Sequence, residues 1–323
     1  MIWKALLGLG GLGFFFAMIL TLIHRKLAVE VPEKLKRLLE ILPGANCGAC
    51  GYPGCEGYAH ALLEGKADVN LCAPGGPEVA QALAKELGKE IKTVEAKVAK
   101  IKCRGGIKKA KFKYEYIGVK SCAAMMVLGD GDKMCKYGCL GFGDCVKACP
   151  FDAIYMTDAG LPEVDEEKCT GCGVCVKTCP KGIIELIPRD AKIFVACASL
   201  DFGKKARDAC EVACIGCKIC EKSCPENAIK VENNLAVVDY EKCTGCGICV
   251  AKCPTKAIVD RVKSRPKAVI NPDLCDDCGE CVKVCQFKAI VKEGEKYKIL
   301  KEKCIGCGQC LTVCPKKAIV MKD

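Results

Sequence analysis

Large aromatic side chains are scarce in this chain: Phe, Trp and Tyr make up 6% of 323 residues, with a single tryptophan. One conventional core for that length would hold more bulky side chains. The shortage points instead to many small cores, each closed around an inorganic group whose bonds supply part of the folding free energy. No catalytic triad can be found, and the long apolar run contains no carboxylate of the kind that moves ions through a membrane. The literal match Gly8-x-Gly10-x-x-Gly13 to a dinucleotide fingerprint lies inside that run, with no strand before it and no βαβ unit around it, so it is chance. These absences leave no substrate-transforming active site to assign.

What the chain has is cysteine, 32 of 323 residues. Such density suits small secreted disulfide scaffolds or metal proteins, and the length argues against the first. The formal net charge is +11, from 50 Lys and Arg against 39 Asp and Glu. That count treats every cysteine as neutral. A [4Fe–4S] cluster with four thiolates carries about −2, so eight of them would bring the total to roughly −5. Most of the lysine excess then reads as counter-charge, and no aromatic-interleaved basic stripe supports nucleic acid as a partner.

Residues 5 to 23 form 19 positions without a charge. As a helix they would extend about 28 Å, enough to cross a hydrocarbon core. Trp3 and Lys4 flank one end and His24, Arg25 and Lys26 the other, which predicts a single-pass anchor in the bilayer of the inner (cytoplasmic) membrane, with the rest of the chain on the cytoplasmic side. A signal peptide would need a small-residue cleavage site, which is missing. Gly8, Gly10, Gly11 and Gly13 read as close-packing points for neighbouring membrane helices.

Residues 31–42 read as an amphipathic helix. Cys47, Cys50, Cys55 and Cys72 follow as one candidate ligand set, and Gly44, Gly48, Gly51 and Gly54 accommodate unusual φ values around it. A helix from Glu56 to Leu63 starts at that set, with His60 on its surface. Zinc is the bland alternative, set aside because cluster motifs recur downstream. Residues 77–100 carry no cysteine and read as a helix followed by a strand or linker.

From residue 135 one pattern recurs six times, CxxCxxCxxxC followed by proline. Regular copies are Cys169, Cys172, Cys175, Cys179; Cys214, Cys217, Cys220, Cys224; Cys243, Cys246, Cys249, Cys253; Cys275, Cys278, Cys281, Cys285; and Cys304, Cys307, Cys310, Cys314. Gln286 replaces the proline once. The first copy is stretched: Cys135, Cys139, Cys145, Cys149. Each copy ends in an apolar tag that reads as a return strand. In such runs three cysteines bind one cluster and the fourth serves the other cluster of the pair. The expected sets are Cys135, Cys139, Cys145 with Cys179; Cys169, Cys172, Cys175 with Cys149; Cys214, Cys217, Cys220 with Cys253; Cys243, Cys246, Cys249 with Cys224; Cys275, Cys278, Cys281 with Cys314; and Cys304, Cys307, Cys310 with Cys285. Cys103, Cys122, Cys197 and Cys210 remain. They read as an eighth cluster clasping the ends of the first module, the alternative being buried structural thiols.

The expected architecture is α+β: a transmembrane helix (1–26), a small helical [4Fe–4S] domain (27–76), a linker (77–101) and three tandem ferredoxin-like modules (102–211, 212–262, 263–323).

The anchor, the stretch LPGANCGACGYPGCEGYAHAL and the unusual KMCKYGCLGFGDCVKACPFDAI together resemble the B-type subunit of the Rnf complex, a membrane ferredoxin:NAD⁺ oxidoreductase that pumps Na⁺ or H⁺. The resemblance covers almost the whole chain. It implies a relay that takes electrons from soluble ferredoxin to membrane-embedded subunits of a redox-driven translocase. The third module is extra relative to short members of the family and reads as an added docking arm for ferredoxin. A polyferredoxin subunit of a membrane hydrogenase is the neighbouring alternative. A redox sensor or scaffold is the reading of another class, but a sensor needs one exposed labile cluster rather than a string.

Overall fold

The computed structural model describes residues 2–27, 32–90, 95–127 and 129–322. Helix α1 (Ile2–Leu27) carries the apolar run. Its side chains are described at Trp3 and at 10–23, where Phe14, Phe15, Phe16 and Leu20 are all exposed. The flanking side chains of Lys4, His24, Arg25 and Lys26 lie outside the described residues. Among the described residues, no helix is long and apolar enough to cross a membrane.

Three helices follow, α2 (Glu33–Ile41), α3 (Gly54–Leu63) and α4 (Gly76–Leu87). Leu35, Leu38, Tyr58, Leu62 and Leu83 bury their side chains together between them. Helix α4 ends where Gly88 adopts φ +64°, the left-handed cap that glycine accepts without strain. The expected linker is therefore divided: its helix packs on the first domain, and its last residues become strand β1. Residues 91–94 lie outside the described residues.

The remainder is built from twelve described strands in six antiparallel pairs. Strands β1 (Lys97–Ile101), β2 (Ile154–Met156), β3 (Pro162–Val164) and β4 (Ile184–Pro188) make the first module. Its outer strands pair, Ile101 opposite Ile184, and its inner strands form a hairpin, Ile154 opposite Val164. Strands β5 (Ile193–Val195), β6 (Ile229–Glu232), β7 (Leu235–Val238) and β8 (Ile258–Asp260) repeat the arrangement. So do β9 (Lys267–Ile270), β10 (Ile290–Glu293), β11 (Lys296–Ile299) and β12 (Ile319–Lys322). In the second hairpin Asn233 and Asn234 both have positive φ, as a two-residue type I′ turn requires.

Every expected return strand is present, beginning at Ile154, Ile184, Ile229, Ile258, Ile290 and Ile319. The seams fall elsewhere than expected. Each module takes its first strand from before its first cysteine, so β1 joins the first module from the expected linker. Likewise β5, expected within 102–211, pairs with β8.

The cores are small, as the aromatic shortage implied. The second module buries Ile193, Val195, Ile229, Leu235 and Ile258 among its cysteines and alanines. Between the first two modules, Glu166 receives both Lys100 and Arg261, while Arg261 also donates to the carbonyls of Ala191 and Arg189.

Candidate cluster sites

A local backbone rule shapes each regular repeat. The residues on either side of the second cysteine have positive φ: Gly171 and Gly173, Gly216 and Lys218, Gly245 and Gly247, Asp277 and Gly279, Gly306 and Gly308. The chain thus curls around its own sulfurs and enters a helix of four or five residues carrying the third cysteine. Three residues after the fourth cysteine φ is positive again, at Asp152, Gly182, Asn227, Lys256, Lys288 and Lys317. That turn brings the next N–H back to the fourth sulfur in five of the six copies. Ala153 donates to Cys149 at 3.4 Å, Ala228 to Cys224 at 3.3 Å, Ala257 to Cys253 at 3.3 Å, Ala289 to Cys285 at 3.4 Å and Ala318 to Cys314 at 3.3 Å. Those alanines are 1–2% exposed, so a larger side chain has no room there. Hydrogen bonds of this kind tune the potential of a sulfur-ligated cluster.

The fourth cysteines cross over. One cavity is lined by Cys149 together with Cys169, Cys172 and Cys175, another by Cys224 together with Cys243, Cys246 and Cys249. Elsewhere the neighbours that raise a buried thiol include the expected partners. Burial pushes the Cys220 thiol up to about 12, helped by Cys214, Cys217 and Cys253. Burial likewise raises Cys310 to about 12, with Cys307, Cys304 and Cys285 adding to it. Cys281 is raised by burial and by Cys275, Cys278 and Cys314. In the first domain Cys72 is raised by burial and by Cys55, Cys47 and Cys50. There Gly44, Gly48, Gly51 and Gly54 all have positive φ, and Asn46 Oδ1 accepts from the Cys55 N–H at 2.8 Å.

Two expected sets are corrected. Cys103, Cys135, Cys197 and Cys210 line one cavity. Another is lined by Cys122, Cys139, Cys145 and Cys179. Cys122 therefore lines a different cavity from Cys103, Cys197 and Cys210, and Cys135 a different one from Cys139, Cys145 and Cys179. The reason lies in register. Cys139-Leu-Gly-Phe142-Gly-Asp-Cys145-Val-Lys-Ala-Cys149 aligns without a gap on Cys169-Thr-Gly-Cys172-Gly-Val-Cys175-Val-Lys-Thr-Cys179. Gly141 and Gly143 have φ +84° and +73°, matching +70° and +77° at Gly171 and Gly173.

The first copy is thus not stretched. It has a phenylalanine where the second cysteine belongs, and Cys135 lies outside it. Helix α5 (Cys122–Met126) supplies the missing thiol. Asp144 holds it, accepting from Ser121 Oγ at 2.9 Å and the Ala123 N–H at 3.1 Å. Phe142 packs beside Cys122, Met125 and Leu140, its ring 5.5 Å from that of Tyr116.

Comparison with known proteins fits this organisation. A family model for an Fe-S cluster matches residues 42–74, and 4Fe-4S dicluster models match 133–186, 268–321, 213–257, 242–289 and 168–229. The B-type subunit of the proton-translocating ferredoxin:NAD(+) oxidoreductase complex of Clostridium ljungdahlii is 48% identical over 71% of this chain and 81% of its own length. The Na(+)-translocating counterpart of Acetobacterium woodii is 42% identical over 72% and 70%, and the B-type subunit of the ion-translocating oxidoreductase complex of Methanosarcina acetivorans 44% over 72% and 89%. The chain belongs to this B-type subunit family. A shorter member, from Rhodobacter capsulatus, is 49% identical over 27% of the chain. One chain of a formate dehydrogenase–heterodisulfide reductase–formylmethanofuran dehydrogenase complex from Methanospirillum hungatei matches at TM-score 0.26 and 24% identity over 55% of this chain and 73% of that one.

The donor sets of this family member suit iron–sulfur clusters. Four sets of thiols stand around cavities, and backbone N–H groups are aimed at sulfur, as a polynuclear group needs. Burial pushes the thiols of Cys139, Cys175, Cys197 and Cys249 up to about 12, so they are protonated in the cluster-free chain and loading releases those protons. Lys133, 5% exposed, donates to Gly105 O and Cys139 O at 2.9 and 2.7 Å, placing a cation between the two corrected cavities.

Proposed function

We propose that the chain relays electrons one at a time along eight [4Fe–4S] clusters, as the electron-transfer subunit of an ion-translocating ferredoxin:NAD⁺ oxidoreductase. The observation that supports this is the set of four cysteine-lined cavities, with dicluster models matching along the chain, in a member of the B-type subunit family. A [4Fe–4S] cluster supplies reversible one-electron transfer. The ligand sets are Cys47, Cys50, Cys55, Cys72; Cys122, Cys139, Cys145, Cys179; Cys149, Cys169, Cys172, Cys175; and Cys103, Cys135, Cys197, Cys210. The second module contributes Cys214, Cys217, Cys220, Cys253 and Cys224, Cys243, Cys246, Cys249. The third contributes Cys275, Cys278, Cys281, Cys314 and Cys285, Cys304, Cys307, Cys310.

Reduced ferredoxin is the donor and the other subunits of the complex are the acceptors. Helix α1 is the membrane anchor: its described large side chains face outward, and a methyl added at Gly10, Gly11 or Gly13 would meet nothing, leaving that face open for lipid or a neighbouring helix. The rest of the chain stands on the cytoplasmic side, by the basic cluster at residues 24–26.

Anaerobically purified protein is expected to hold about 32 iron atoms and to be reduced by ferredoxin within the turnover time of the complex. Reduction far slower than turnover would sink the relay. Removal of residues 1–26 is expected to release the chain from membranes with its iron intact.

A further inference from the structure

Five repeats place proline after their fourth cysteine, at Pro150, Pro180, Pro225, Pro254 and Pro315; the sixth has Gln286. Its side chain leaves its own module. Nε2 donates to the Ser223 carbonyl at 3.2 Å, and Oε1 accepts from Lys252 Nζ at 2.5 Å. Ser223 precedes Cys224 and Lys252 precedes Cys253, so one amide attached beside Cys285 reaches a residue beside a ligand of each site in the second module. Lys252 also lies over the Phe287 ring, 5.9 Å from its centroid.

A second contact reinforces the first. Arg265, in the connector between β8 and β9, grips Asp260 with three hydrogen bonds of 2.8 to 3.1 Å and donates to Gly245 O at 2.5 Å. Its guanidinium covers Gly247, where an added Cβ would lie 3.1 Å away. On the other side its Cβ and the Pro266 carbonyl press on Gly306, where an added Cβ would lie 2.9 Å from the first and closer still to the second. One residue is thus wedged between the loop of Cys243–Cys249 and the loop of Cys304–Cys307.

We propose that Gln286 and Arg265 are positioning residues that lock the third module onto the second. The Cys224, Cys243, Cys246, Cys249 site is thereby held beside the Cys285, Cys304, Cys307, Cys310 site. The third module then continues the wire in series and is not a free docking arm, a conclusion that rests on the cluster reading above. Neighbouring sites meet elsewhere in the same way. The Cys139 N–H donates to Cys103 at 3.4 Å, and the Cys214 N–H donates to Cys197 at 3.3 Å.

The test is Gln286→Pro in the full chain, a residue the other five repeats tolerate at this place. Iron is expected to stay at the wild-type level. Losing two hydrogen bonds should raise the undocked population about tenfold. Tryptic cleavage in the connector, after Lys263, tracks that population and should rise by the same factor. Spin–spin broadening between reduced clusters of the two modules should weaken in the EPR spectrum. Full iron with wild-type cleavage and wild-type broadening would overturn the proposal. If Gln286→Pro loses iron, Lys252→Met decides: it removes one bond from a half-buried side chain, and cleavage should rise about threefold, with no rise counting against the lock. A wild-type count well below about 32 iron atoms would count against the cluster reading instead, and the tryptic result would still decide the junction.

Discussion

Pairs of cysteine replacements separate the two groupings of the first module's thiols. Cys103 and Cys122 line different cavities, whereas Cys122 and Cys145 line the same one. Each disrupted cluster removes about four iron atoms. Replacing Cys103 and Cys122 together should therefore disrupt two clusters and remove about eight atoms, while replacing Cys122 and Cys145 should disrupt one and remove about four. Had Cys122 belonged with Cys103, Cys197 and Cys210, the two results would be reversed. A third variant tests the register directly. Phe142→Cys restores the regular repeat, so adding it to Cys122→Ala should return the lost cluster. Iron and acid-labile sulfide on anaerobically purified protein, with Mössbauer counting of altered clusters, read all three. Equal losses from the two double variants, or no rescue by Phe142→Cys, would refute the assignment of Cys122.

Other outcomes follow from single contacts. Burial acts to raise the Glu166 carboxyl, but Arg261 and Lys100 outweigh it and hold it below the usual range. The ion triad therefore stabilises the first junction fully above the unfolded carboxylate value of about 4.3 and loses that effect as pH falls through the lower folded value. The thermal midpoints of wild type and Glu166→Gln should differ at pH 7 and converge only as the pH falls below about 4.3; a gap that widens on acidification would contradict this. Gly171→Ala should cost about 1–2 kcal/mol for the left-handed backbone alone, and more because its Cβ would lie 2.5 Å from the Lys97 carbonyl; an unchanged thermal midpoint would show the loop to be yielding. Stripping iron with a chelator and oxidant should abolish the strand signal in circular dichroism. The helices around Leu35, Leu38, Tyr58, Leu62 and Leu83 should survive in part, because they share an apolar core.

Much of this was legible in the residues. The apolar tags marked every return strand, because each is a short β-branched run directly after a turn residue. The glycines at 44, 48, 51 and 54 announced left-handed backbone. What escaped was governed by distance along the chain. Pairing of β1 with β4 or β5 with β8 leaves no local periodicity, so the module seams were drawn too late. The ligand exchange escaped for a different reason: both groupings use all 32 cysteines, so counting could not choose. The decisive signal was present in Gly141-Phe142-Gly143, where two glycines hold the repeat's register around a residue that is not cysteine. The partners of Gln286 and Arg265 needed three dimensions, since nothing in either residue type names the loop it will touch.

The pairing of outer strands bears on how such a chain is made and lost. While the second module leaves the ribosome, β5 has no partner until Ile258–Asp260 emerges, and it stays an open edge able to join another chain. The crossed fourth cysteines impose the same delay on cluster loading, since Cys214, Cys217 and Cys220 wait for Cys253. The Cys103, Cys135, Cys197, Cys210 site spans two modules and waits longest, since Cys210 follows Cys103 by more than a hundred residues.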